Sequence, residues 1–107
     1  MRYWKVVYPK LSASAMAVYP FLIFKRPELL NDAVIVNHEK IHFKQQLELF
    51  ILPFYIFYLI NYLINLVRYR NHDRAYREIR FEREAYRYDR DLQYLKKRKP
   101  YSWIREW

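Results

Sequence analysis

Apolar and polar positions divide the chain into an extended N-terminal part followed by helical segments. Residues 3–8 and 17–24 are rich in aromatic and β-branched side chains and are bounded by Pro9 and Pro27, which predicts two short strands. Pro20 lacks an amide hydrogen, so we expect it to confine the second strand to a sheet edge. An edge strand can bind an extended peptide as a further strand, but a small hairpin that covers the core fits the same pattern.

The first helical segment follows Asn31 and Asp32, either of which can cap a helix. The segment reads AVIVNHEKIHFKQQLELFIL, and its apolar positions recur with helical spacing. On such a helix His38, His42 and Gln45 share one side. We therefore expect these three side chains to lie inside one helix, away from its ends.

Residues 49–67 form a second, apolar segment that is interrupted only by the polar residues Asn61 and Asn65. Its length just suffices to cross a bilayer. Pro53 removes one helical hydrogen bond, so we expect a kink or break near Leu52. The segment fits either membrane association or burial as a central helix; the short chain has little protein to surround such a helix, which favours the membrane.

A third helix is predicted over residues 73–97, where arginines recur every three or four positions with acidic residues between them. This pattern is typical of a solvated face with exchangeable ion pairs. The following residues 98–107 carry a Lys/Arg cluster and two tryptophans, a composition that suits lipid head groups.

The pattern as a whole predicts a mainly α fold of the α+β class, with a short N-terminal strand pair and three helices. The second helix is apolar, and the charged third helix is expected to pack back antiparallel to it. We expect a single domain over residues 1–107, because no linker or repeat interrupts the chain. Within it, residues 1–30 form the extended segment, 31–97 the helical core and 98–107 a basic aromatic tail.

The amino-acid composition limits the kinds of functional site and partner that we expect. The chain has no cysteine, so any metal must be held by nitrogen and oxygen ligands, and it has no glycine, which excludes phosphate-binding loops. A net charge of +9 fits an anionic membrane surface or nucleic acid. Nucleic acid is the weaker candidate, since acidic residues alternate with the arginines of the third helix. Exposed apolar surface on so short a chain also makes a homo-oligomer plausible.

The N-terminal sequence MRYWKVVYPK lacks the uninterrupted apolar stretch of a signal peptide. Together with the apolar segment and the high aromatic content, this predicts a membrane-associated or integral membrane protein on the cytoplasmic side. Residues 49–67 and the basic tail are the expected points of contact with the membrane.

The most specific motif is HEKIH at residues 38–42. HExxH on a helix places His38 and His42 one turn apart on one face, where they can bind one zinc ion. Glu39 lies beside the metal position and can act as a general base without being a ligand. A hydrolytic zinc site needs a third protein ligand, which here must be a carboxylate or His72.

The motif FEREAY at residues 81–86 supplies a carboxylate on the third helix. HExxH followed by ExxA resembles the zinc metallopeptidases of the gluzincin type, including the membrane-embedded prenyl-protein and heat-shock endopeptidases. The resemblance implies Zn²⁺ bound by His38, His42 and Glu82, with Glu39 as the catalytic base. Tyr86 stands where that family commonly has an aspartate that supports a ligand histidine, and neither a histidine nor an arginine can be assigned as oxyanion stabiliser.

The expected function is a zinc-dependent peptidase that acts on a peptide or protein. The alternative is a non-enzymatic, membrane-associated adaptor with an incidental or structural metal site. A straight helix over residues 49–67 would be about 28 Å long and would hold His42 and Glu82 apart. The site therefore requires a bend near Pro53 and a turn near His72, which together predict a helical hairpin that contacts the membrane from one side.

Overall fold

The computed structural model describes residues 3–105, in which helices predominate over a small N-terminal sheet. The strands are β1 (Trp4–Val7), β2 (Ala15–Val18) and β3 (Phe21–Phe24); the helices are α1 (Ala33–Glu48), α2 (Leu52–Tyr69), α3 (His72–Arg77), α4 (Arg80–Tyr88) and α5 (Tyr94–Lys97). Short 3₁₀ turns lie at Pro27–Asn31 and Ser102–Arg105. The mainly α, α+β fold class predicted from the sequence is confirmed.

The sheet of the described residues contains three strands where a pair was expected. Pro20 lies in the turn between β2 and β3, so the predicted second strand is divided into two. β3 is the central strand, parallel to β1 and antiparallel to β2. The prediction that Pro20 confines this strand to a sheet edge is therefore wrong for β3, which is central. It holds only for residues 17 and 18, which belong to the edge strand β2 that packs against α1.

Helix α1 begins at a side-chain cap and buries an unusual set of polar residues. Asp32 accepts hydrogen bonds from the amides of Val34 and Ile35, both at 3.1 Å, as one of the two caps expected from the sequence. The buried polar side chains of α1 are Asn37, His38, Glu39, His42, Gln45 and Gln46. Buried polar groups need hydrogen-bond partners, so this helix organises a polar network at the centre of the protein.

The bend expected near Leu52 separates α1 from α2. The two helices meet at 111°. Pro53 falls in the first turn of α2, where its missing amide hydrogen costs no helical hydrogen bond. Phe50 and Ile51, at φ 58° and 65°, make the sharp turn. The bend lets the chain turn back towards α1 instead of running straight away from it.

The predicted third helix is broken into α3, α4 and α5. Ile79 is buried in an extended conformation between α3 and α4, and the side chain of Asn61 accepts the amide of Arg80 at 3.0 Å. This hydrogen bond, from the first residue of α4 to a side chain of α2, fixes where α4 begins. Helix α3 packs against α2, and α4 packs against α1. The return of the chain is therefore made in two steps rather than by one continuous helix.

The part of the predicted tail that the structure describes, residues 98–105, is packed on the helices. The Arg98 side chain is buried against Glu48 and Glu84, and the Trp103 ring packs on Phe81. This differs from a tail that is free to bind lipid, because the buried Glu84 and the partly buried Glu48 need a cation and Arg98 provides it. Trp107 lies outside the described residues.

Among residues 3–105, no single helix has both the length and the apolarity needed to cross a membrane. Only the bent pair α1 and α2 meets that requirement when its two helices are counted together.

Candidate metal centre

His38, Glu39 and His42 lie together on the buried face of α1. One donor atom from each of the three side chains lies within 4.8 Å of the others. The rings of His38 and His42 are one turn apart, with centroids 4.9 Å from each other. This buried group could hold a metal ion.

Glu82 reaches the same point from α4. Its Oε1 lies 3.1 Å from Nε2 of His38 and 3.1 Å from Nε2 of His42. Its Oε2 accepts a hydrogen bond from the hydroxyl of Tyr58 on α2 at 2.7 Å. The structure therefore brings together all four residues that the sequence analysis selected, His38, Glu39, His42 and Glu82, and adds a tyrosine to them.

The opposite ring nitrogens of the two histidines are held by hydrogen-bond acceptors. Nδ1 of His38 lies 3.0 Å from Oδ2 of Asp89, and Nδ1 of His42 lies 2.7 Å from Oε1 of Gln45. The Gln45 amide has one orientation, since its Nε2 donates to the carbonyl of Phe81 and to Glu84. Its Oε1 is thus an acceptor, and Nδ1 of His42 must carry a hydrogen.

With hydrogens on both Nδ1 atoms, the neutral imidazoles would direct their Nε2 lone pairs at an oxygen of Glu82, which is itself an acceptor. Lone pairs facing one another are repulsive. The cluster is electrostatically balanced only when extra protons or a cation lie between the two Nε2 atoms and Glu82.

The pKa values of these groups follow from the same charges. Burial alone would lower the pKa of His42, but the adjacent Glu82 carboxylate raises it to about 9. Burial works in the opposite direction on Glu82, yet the charge and hydrogen bonds of the two histidines hold its pKa well below the usual range. The three groups thus attract positive charge to the point at which they meet.

Glu39 occupies a different environment. Burial raises the pKa of its carboxyl group, although the nearby histidines partly oppose this. Glu39 lines two cavities of about 300 Å³ each, one on the side of His42 and Glu82 and the other on the side of His38 and Asp89. It is therefore the carboxylate of this cluster that borders both cavities.

The edge of β2 forms one wall of these cavities through Ala13 and Ala15. The backbone carbonyl of Ser14 accepts a hydrogen bond from the amide of Lys25, the residue after β3. Antiparallel alternation therefore directs the backbone groups of Ala15 and Ala17 away from β3. The Ala17 carbonyl accepts hydrogen bonds from Gln46 and Tyr55, at 2.7 and 2.8 Å. Ala15 lies on the same side, next to Glu39.

Several residues of the centre were not selected from the sequence. Asp89 supports His38; its spacing of seven from Glu82, two helical turns, is a signal that could have identified it. Gln45 shares the histidine face, as expected from its position. Tyr58 and Tyr76 carry no local motif, and only the fold brings them to the cavity.

His72, the other candidate for a third ligand, contacts the hydroxyl of Tyr62 at 2.7 Å through Nδ1. It lines neither of the two cavities beside Glu39. Of the two candidates that the sequence left open, Glu82 is the one whose carboxylate contacts both histidines of α1.

Comparison of the chain with protein-family models, with curated proteins and with solved structures finds no match.

Proposed function

We propose that this protein is a zinc-dependent metallopeptidase. The observation that carries the proposal is the convergence of two imidazole Nε2 atoms on one oxygen of Glu82, with both Nδ1 atoms held by acceptors. In this arrangement the Nε2 lone pairs point at the shared position, as ligands of a cation do. Asp89 and Gln45 keep the two rings in that orientation.

The donor set fits Zn²⁺. Two imidazole nitrogens and one carboxylate give the three protein ligands of a hydrolytic zinc site and leave one position for water or substrate. The chain has no thiolate to offer a competing softer site. Zn²⁺ bound by His38, His42 and Glu82 would act as a Lewis acid that polarises a carbonyl group and lowers the pKa of water.

Glu39 is the proposed general base. It follows His38 directly, borders both cavities, and is not needed as a ligand when Glu82 contacts both histidines. Its carboxylate would accept a proton from the attacking water and pass it to the departing amine nitrogen as the peptide C–N bond breaks. The raised pKa of Glu39 suits a group that takes up and releases a proton.

Tyr76 is the proposed donor to the oxygen on which negative charge develops. It lines both cavities, and its hydroxyl lies 3.4 Å from that of Tyr86. Burial and the charge of Glu82 raise its pKa, so Tyr76 stays protonated. A protonated phenol at this place fills the role for which the sequence offered no histidine or arginine.

The backbone edge of β2 supports a peptide as substrate. An extended peptide laid along Ala13 and Ala15 would pair with a strand edge that borders Glu39. The Ala17 carbonyl is already bound by Gln46 and Tyr55, which fixes β2 against α1 and α2. We therefore expect recognition of main-chain groups at Ala15 and the residues before it.

Metal content of the purified chain separates the ligands from the base. We expect one zinc per chain by mass spectrometry of the intact protein, retained in Glu39→Gln and lost or strongly weakened in Glu82→Gln and His38→Ala. Glu78→Gln and His72→Ala are the matched controls, because both residues lie outside the cluster. Absence of zinc, or a zinc content unchanged by Glu82→Gln, would overturn the ligand assignment.

Activity is tested with a degenerate peptide library and mass spectrometry of the products. The wild-type chain loaded with zinc should produce new peptide termini, and Glu39→Gln should not, although it retains metal. Zinc binding without any cleavage would instead indicate a structural metal site in a non-enzymatic protein.

A further inference from the structure

Helix α2 carries its apolar side chains on the outside of the protein. Every exposed position from residue 52 to residue 67 is apolar, and these side chains leave between 47% and 78% of their surface uncovered. They are Leu52, Ile56, Phe57, Leu59, Ile60, Leu63, Ile64 and Val67. They recur every three or four residues and so form one continuous face.

Between residues 52 and 67, the polar side chains of the same helix point inwards, and each one has a partner. Tyr55 donates to the Ala17 carbonyl and Tyr58 to Glu82. Asn61 accepts the amide of Arg80, Tyr62 contacts His72, and Asn65 donates to the carbonyl of Ala75. The side-chain hydrogen bonds of residues 52–67 are therefore made on the face of α2 that packs against the rest of the protein.

This distribution is the reverse of that on a helix at the surface of a water-soluble protein, which directs its polar side towards the solvent. A hydrocarbon environment favours the observed arrangement, because polar groups must then be satisfied within the protein. The sixteen positions between residues 52 and 67 extend over about 24 Å. An uninterrupted apolar face of that length exceeds what isolated surface residues produce.

Positive charge adjoins this face. A groove of about 390 Å³ between α2 and α4 has Phe57, Ile60 and Ile64 on its α2 side. Arg68, Arg80 and Arg83 lie around the same groove, with Glu78 as its one carboxylate. Guanidinium groups beside an apolar face match the phosphate and acyl portions of an anionic phospholipid.

We propose that the outer face of α2 lies in the interfacial region of an anionic phospholipid bilayer, with a phosphate head group in the groove lined by Arg68, Arg80 and Arg83. A second copy of the chain is a less suitable occupant, because each copy carries a net charge of +9 and the two would repel. The helix lies along the membrane surface in this arrangement and does not need to cross it.

Membrane binding by the outer face of α2 requires neither zinc nor catalysis, but it would place the bilayer close to the metal centre. The inner face of α2 supplies Phe54, Tyr55 and Tyr58 to the cavity beside Glu39. A bilayer on the outer face would therefore be separated from that cavity by the thickness of one helix, about 10 Å.

Binding to vesicles tests the proposal with the 107-residue chain. Flotation is measured with phosphatidylcholine vesicles that either lack phosphatidylglycerol or contain one third of it. We expect binding to the anionic vesicles, a reduction of about tenfold or more in the double variant Leu59→Gln/Leu63→Gln, and a smaller reduction in Arg68→Gln. Val6→Gln/Leu92→Gln is the matched control, because both residues are exposed apolar side chains away from α2.

A fluorescent label locates the face that enters the lipid. The chain contains no cysteine, so Leu63→Cys and Leu92→Cys each give a single labelling site for an environment-sensitive dye. Anionic vesicles should shift the emission of the label at position 63 to the blue and leave that at position 92 unchanged. Circular dichroism establishes that each variant is folded.

Three outcomes would overturn the proposal. The first is no binding to either kind of vesicle by the folded wild-type chain. The second is binding that the Leu59→Gln/Leu63→Gln variant retains in full. The third is a lipid-free dimer that this variant dissociates, which would identify a second copy as the partner of the face. Zinc content is measured separately, so failure here is distinguishable from failure of the metal site.

Discussion

The carboxylate of Asp89 lies 3.0 Å from Nδ1 of His38, although 51 residues separate the two in the chain. Asp89 caps the C-terminal end of α4, whereas His38 lies in the interior of α1. The contact exists only because α4 packs along α1. It fixes the ring orientation of His38 and directs its Nε2 towards Glu82.

We predict that Asp89→Ala weakens zinc binding by about ten- to a hundredfold, since the ligand histidine loses the acceptor that holds its ring and its tautomer. Competition with a chromogenic chelator measures the affinity. Asp91→Ala is the matched control, because the partly exposed Asp91 side chain pairs with Lys97 rather than with the cluster. Equal affinities of the Asp89 and Asp91 variants would show that the contact has no effect on the metal.

The local features of this centre could be read from the sequence. HExxH defines one helix face, and the cap at Asp32 and the proline at position 53 mark where α1 begins and where α2 can start. These signals depend on residues a few positions apart. Gln45 belongs to the same class, because its place one turn after His42 follows from helical spacing alone.

The missed features depend on tertiary contacts. The break before α4 occurs because Ile79 is buried in an extended conformation and Asn61 of α2 accepts the Arg80 amide. Neither residue carries a helix-stop signal in its own neighbourhood. Tyr76 likewise looks like one residue of an apolar stripe, and only the packing of α3 brings it to the cavity beside Glu39. The third helix was therefore too long in the prediction, and the proposed oxyanion donor was absent from it.

Tyr76 provides a test of the catalytic arrangement. Tyr76→Phe removes one hydroxyl and keeps the ring, so we predict a fall in kcat of about a hundredfold with zinc content unchanged. Steady-state cleavage of a peptide identified from the library measures kcat and KM separately. Tyr62→Phe is the control, since its hydroxyl contacts His72 away from the cavity. A change in KM alone would assign Tyr76 to substrate binding.

Arg98 connects the C-terminal segment to the network that supports His42. Its guanidinium contacts Glu48 and Glu84, and Glu84 also accepts from Gln45, which holds Nδ1 of His42. Contacts with both carboxylates raise the pKa of Arg98 despite its burial, so it remains charged. Removal of the cation would leave buried carboxylates without a counter-ion.

We therefore predict that Arg98→Met lowers the free energy of unfolding by about 3–5 kcal/mol. Urea titration followed by circular dichroism measures the change. Lys97→Met should cost less than about 1 kcal/mol, because the pair between Lys97 and Asp91 is at the surface. An equal loss of unfolding free energy in the two variants would show that the Arg98 network stabilises the fold no more than a surface ion pair does.

The turn between α1 and α2 offers a substitution that should stabilise the protein. Phe50 has φ of 58° and is almost fully exposed, so it adopts a backbone conformation that favours glycine while its side chain contacts little. The left-handed region costs a residue with a Cβ about 1–2 kcal/mol. Glycine would remove that cost, although it would lose more backbone entropy on folding than phenylalanine does. We predict that Phe50→Gly raises the free energy of unfolding by about 0.5–1 kcal/mol.

Leu59→Gly is the comparison that gives this result its meaning. Leu59 is also exposed and apolar, but it lies in the interior of α2, where glycine should lower the stability by about 1 kcal/mol. Urea titrations in the absence of lipid compare the two variants with the wild type. Opposite signs would show that the turn holds backbone strain at position 50; an equal loss of stability in both variants would place the wild-type Phe50 in a relaxed conformation and contradict the prediction.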